Sequence, residues 1–176
     1  MSEPTSSNPS RPGSLPLVIG LGNDHRNDDA SGLEVARALR PHLEGKARVE
    51  ECVSEGIALL DLWRGAERVL VVDAVRSGAQ PGTVHRLEPG DGRFPGFRTG
   101  TSTHGLSLAE AVALAKGLGC LPRHLVVYGI EADNVEIGTG LTPSVALGVK
   151  EATARILAEL EADRSMPPSA KETAHA

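Results

Sequence analysis

Residues 68–73 read Arg-Val-Leu-Val-Val-Asp, and no other stretch restricts the possible folds as tightly. Successive side chains of a strand point to opposite faces, so the unbroken run Val69, Leu70, Val71, Val72 places both faces in an apolar environment. A strand buried on both sides belongs to a mostly parallel sheet with helices above and below it. Asp73 closes this run, so an acid stands where the strand ends.

The neighbouring segments agree with that architecture. Leu15–Leu21 is a second short apolar run, closed by the turn residues Gly22-Asn23. Leu33, Val35, Ala36, Ala38 and Leu39 then recur at helical spacing until Pro41, which predicts a helix from Asp29 to Arg40. Ala47–Val53 reads as a strand, Ile57–Trp63 as a short helix, and Thr83–Leu87 as a more exposed strand interrupted by His85 and Arg86. Residues 89–105 form a long Gly-rich loop, of a kind that in a compact domain is usually functional or mobile. Ser107 and Glu110 have capping-box spacing ahead of a helix over Leu108–Gly117, Leu125–Ile130 is another apolar strand, and Pro143 opens a long helix to Leu160. The alternation defines an α/β domain with one antiparallel strand near residues 83–87 and no internal repeat.

Residues 15–160 are expected to form this one domain. Residues 1–14 combine Pro and Ser with almost no large apolar side chains, and they are expected, like residues 161–176, to be disordered tails. No secretory signal and no run of roughly 18 apolar residues is present, so a cytoplasmic chain that does not enter a membrane is expected. A formal net charge of −5 and a scarcity of aromatic side chains argue against nucleic acid as a partner. Cys52 and Cys120 lie outside any C-x-x-C pattern and read as small buried hydrophobes.

In an open α/β sheet, ligands bind beyond the carboxyl ends of the strands. Asp28-Asp29 follows the first strand, Asp73 ends the strand at 68–73, and His104 stands on the long loop before the capped helix. Each has a plain structural reading: Asp28 or Asp29 capping a helix, Asp73 holding a loop, His104 exposed. Together, two carboxylates and an imidazole would suit nickel, zinc, manganese or iron without choosing among them.

The order of these segments resembles the hydrogenase maturation protease family. Val18–Gly32 is similar to its G-x-G-N-x-x-x-x-D-[DE]-G-x-G block, residues 71–82 to D-A-x-x-x-G-x-x-P-G, and residues 103–108 to a histidine between small polar residues and a leucine. Residues 128–145 resemble the block in which G-I-E precedes G-x-x-L-[ST]-P, on Glu131, Gly140, Leu141, Thr142 and Pro143.

The resemblance implies a three-layer α/β/α sandwich around a mostly parallel sheet of about five strands, phosphorylase/hydrolase-like in layout. It also implies an endopeptidase that removes a C-terminal extension from a nickel-loaded [NiFe]-hydrogenase large-subunit precursor. The nickel would be carried by the substrate and contacted by Asp29, Asp73 and His104. Asp29 and Asp73 are the implied catalytic acids, with Asp28 a third candidate base, and the enzyme is expected to act as a monomer. Asp29 is one methylene shorter than the glutamate common at its position. Ala30 replaces a glycine, and Asp24 adds an acid after Gly22-Asn23.

Three other readings compete. Gly20-Leu-Gly22 resembles a dinucleotide loop, but His25 occupies the place of the third glycine and the acids around it would repel a pyrophosphate. Peptidyl-tRNA hydrolase shares a G-L-G-N opening, yet that family's basic surface and T-R-H-N block are missing. A non-catalytic metalloprotein assembly factor would retain the same binding residues.

Overall fold

The structure is a computed structural model that describes residues 15–53, 56–89, 98–99 and 107–165. Its strands are β1 (Leu17–Leu21), β2 (Arg48–Cys52), β3 (Arg68–Arg76), β4 (Val84–Leu87), β5 (Arg98–Thr99) and β6 (His124–Glu131). The helices are α1 (Ser31–Leu39), α2 (Ile57–Trp63), α3 (Leu108–Gly117) and α4 (Pro143–Ser165), with a single turn of 3-10 helix at Asn27–Ala30 and another at Arg40–His42.

The sheet runs β2-β1-β3-β6-β4. β1, β2, β3 and β6 pair in parallel, while β4 is antiparallel to β6. The expected antiparallel strand therefore sits at a sheet edge, where His85 and Arg86 need not be buried on both faces. The two-residue β5 adds a short antiparallel bridge to β3 from within the segment read as a loop.

Alternation along the central strands sorts the core into two halves. Val69 and Val71 pack with Leu17, Ile19, Leu59, Trp63, Leu108 and Val112 beneath α2 and α3. Leu70 and Val72 pack with Val18, Val35, Leu39, Tyr128, Val145 and Ile156 beneath α1 and α4. The result is the expected three-layer sandwich.

Several expectations about boundaries need correction. β3 continues past Asp73 to Arg76, because Ala74 and Val75 pair with Ile130 and Glu131 of the long neighbouring strand. α4 continues past Leu160 through Ser165, so the tail does not begin at residue 161: Asp163 pairs with Arg68 and Ser165 Oγ donates to Glu161 O. Cys52 is buried as expected, but Cys120 is only partly so. The expected tail over 1–14 and most of the loop over 89–105 lie outside the described residues.

Candidate active site

β1 connects through α1 to β2 on one side, while β3 lies on its other side. The chain leaves β1 toward β2 and leaves β3 in the other direction along the sheet, toward β4, which opens a crevice at the carboxyl ends of these two strands. α1 starts inside it. A Cβ on Gly32 would lie 2.3 Å from Leu21 O and 2.4 Å from Val72 O, so only glycine lets the first turn of α1 sit across both strand ends. Gly22 has φ +147°, and a Cβ there would lie 2.0 Å from Asp29 O. The two glycines bring the 27–30 turn down onto the sheet, where it packs against β3.

That turn carries both candidate acids, and they face different surroundings. Asp28 is fully buried. Its Oδ1 accepts from Thr142 N at 2.7 Å, and its Oδ2 accepts from Asp133 N at 3.0 Å, Asn134 N at 2.8 Å and Thr142 Oγ1 at 3.0 Å. Asp29 retains 8% of its surface. Burial raises its pKa above the usual aspartate range, only partly opposed by the Arg26 guanidinium.

Asp73 is fully buried on β3. By register it lies one residue beyond Val72, the partner of Gly20, and therefore beside the end of β1. The structure thus places Asp29 and Asp73 on adjoining segments. His104 lies outside the described residues, and among those residues no group of three His, Cys, Asp or Glu side chains is arranged to hold a metal ion.

Glu131 acquires a role that its motif position did not reveal. This buried carboxylate accepts from Ser77 N at 2.8 Å, Ser77 Oγ at 2.6 Å and Gly78 N at 2.9 Å, with His85 Nε2 at 3.4 Å. Burial pushes its pKa up, but the Ser77, Gly78 and His85 hydrogen bonds together bring it below the usual range. Glu131 therefore pins the turn that follows Asp73's strand. The departures from the motif are also accommodated. Asp24 receives both arms of the Arg37 fork at 2.8 Å, a guanidinium that also bonds Glu34 and Glu51. Ala30 has φ −76°, where a glycine is not required.

A three-layer α/β domain with two buried acids at its switch point belongs to the class that binds a ligand beyond the carboxyl ends of its strands. Comparison with known proteins narrows the class. The family model for hydrogenase maturation protease matches residues 34–159. The hydrogenase expression/formation protein HupD of Thiocapsa roseopersicina is 33% identical over 133 residues, covering 73% of this chain and 60% of that protein. The Escherichia coli (strain K12) hydrogenase 2 maturation protease is 29% identical over 148 residues, covering 82% of this chain and 89% of that protein. The structure of the hydrogenase maturating endopeptidase HybD from E. coli superposes with a TM-score of 0.69 at 25% identity, covering 85% of this chain and 94% of that one. The chain belongs to the hydrogenase maturation protease family.

The family match begins at residue 34, after Asp29. The placement of that acid therefore rests on the similarity of the Val18–Gly32 block and on its geometry.

Proposed function

We propose that this chain is an endopeptidase that removes the C-terminal extension of a [NiFe]-hydrogenase large-subunit precursor once nickel has been inserted. The observation that carries the reading is Asp29: a desolvated carboxylate, on a turn packed against the strand of Asp73, in the crevice where this class of sheet binds ligands.

Hydrolysis of a peptide bond needs a water that loses a proton as it attacks, and an amine that gains one as it leaves. In this reading Asp29, Asp73 and His104 contact the nickel held by the precursor, so only a loaded precursor is seated with its scissile carbonyl in reach. Asp29 or Asp73 takes the proton of the attacking water. Asp28 is a positioning residue here, because the lone pairs it would need for a water already accept hydrogen bonds from Asp133, Asn134 and Thr142. In this reading the enzyme acts as a monomer in the cytoplasm; no helix among the described residues is long and apolar enough to cross a membrane.

The test mixes the protein with its co-encoded precursor, prepared with and without nickel, and follows the band by gel and the new C-terminus by mass spectrometry. A shortened product from the nickel-loaded form alone is expected. If neither form is shortened in a sample that another member of the family does cut, the chain is an assembly factor.

A further inference from the structure

Ile137 is 90% exposed, the most exposed large hydrophobic side chain among the described residues. Single surface aliphatics are ordinary on soluble domains, but the backbone beneath this one is unusually constrained. Residues 133–142 are tied to the 27–30 turn and its approach. Gly138 N donates to His25 O at 2.9 Å, Asn27 N to Gly138 O at 3.2 Å, and Asp28 N to Asn134 O at 2.9 Å. Asn27 Nδ2 donates to Glu136 O at 3.1 Å, and the Asp28 carboxylate collects Asp133, Asn134 and Thr142. The base of the segment is also buried through Ala132 and Val135.

A loop held this firmly presents Ile137 in a fixed place without a further loss of backbone entropy when something binds. The ties lead to His25, Asn27 and Asp28, and hence to the turn that carries Asp29. Exposed Glu136 directly precedes Ile137 and exposed Asp133 lies in the same segment, so the loop offers one apolar contact and carries formal negative charge.

We propose that Ile137 is a specificity-determining contact for the large-subunit precursor. In this arrangement it packs against an apolar side chain of the precursor near the bond that is cut, with a Lys or Arg of that segment facing Asp133 and Glu136. The inference rests on the proposed function, since it assigns a binding role at the same site. It also gives the Asp28 clamp a purpose: one carboxylate couples the position of the recognition loop to that of the turn bearing Asp29.

The test compares steady-state cleavage of nickel-loaded precursor by the wild-type protein and by the Ile137→Asp, Ile137→Ala and Ile137→Leu variants. Losing the burial of one aliphatic side chain should raise KM about tenfold in Ile137→Asp and less in Ile137→Ala. The conservative Ile137→Leu variant should stay near the wild type, kcat should change little throughout, and the melting temperature should not move, because the side chain is exposed. Raising the ionic strength should lift the wild-type KM by screening the acidic flank. An Ile137→Asp variant with wild-type KM overturns the proposal while leaving the endopeptidase reading intact. A wild-type protein that cuts nothing removes both.

Discussion

Two carboxylates withdrawn from solvent, Glu159 and Asp29, are accommodated on opposite principles. Near the amino-terminal half of the sheet, Glu159 of α4 accepts from Arg86 at 2.8 and 3.0 Å, from Arg68 at 2.8 Å and from Tyr128 Oη at 2.7 Å. Burial raises its pKa, yet the Arg86 and Tyr128 hydrogen bonds and the charges of Arg86 and Arg68 outweigh it and hold the carboxyl below the usual range. Tyr128 in turn is pushed up to about 12, by burial first and then by its hydrogen bond to Glu159. At the carboxyl-terminal edge, Asp29 is desolvated with only the charge of Arg26 to oppose the cost. The first arrangement compensates a buried charge fully. The second leaves an acid at higher free energy, ready to gain from a ligand that supplies positive charge.

As the proposed catalytic acids, Asp29 and Asp73 are tested first: Asp29→Asn and Asp73→Asn should each lower kcat for precursor cleavage by about a hundredfold or more, measured by densitometry of the shortened band. Wild-type rates in both variants would overturn that assignment. Next in size is Asp28→Ala, which leaves buried backbone donors unsatisfied and should cost about 3 kcal/mol in urea denaturation. Glu159→Gln should cost only about 1 kcal/mol, because Arg86 and Arg68 both reach solvent, and it should leave cleavage unchanged.

The smallest effect carries the sharpest sign. A carboxyl whose folded pKa is raised loses stability on ionising, so the penalty of Asp29 is absent below the ordinary aspartate range and complete above its raised pKa. Asp29→Asn should therefore melt above the wild type at pH 7, and the two curves should converge in acid. Glu159 runs the other way. Its stabilisation is present above the ordinary glutamate range and disappears as pH falls through its depressed pKa, so the advantage of wild type over Glu159→Gln should shrink in acid.

Local chemistry made much of this fold readable. The apolar runs of β1, β3 and β6, the helical spacing of α1 and the Ser107–Glu110 capping box each depend on neighbours a few positions away. α3 indeed begins at Leu108 with both halves of that box formed. Layering followed because a strand with two apolar faces needs helices on both. The exposed character of β4 was legible in His85 and Arg86, although its antiparallel pairing with β6 is a long-range choice.

For the candidate site, sequence determined the candidate acids, their order and their position after apolar strands, together with the family to which those blocks are similar. Residue type and spacing alone did not separate Asp28 from Asp29; only the resemblance, by motif position, ranked Asp29 first. The two are identical side chains in adjacent positions, and their difference lies in what approaches them: donors 105 to 114 positions away meet Asp28, while Asp29 meets little but burial. Glu131 likewise became a clamp only when β6 brought it to Ser77 and Gly78, 54 and 53 positions distant. Residue type and local spacing specify which chemistry is present. Which carboxylate is satisfied and which is left exposed to a ligand depends on hydrogen-bond partners that folding alone brings within 3 Å.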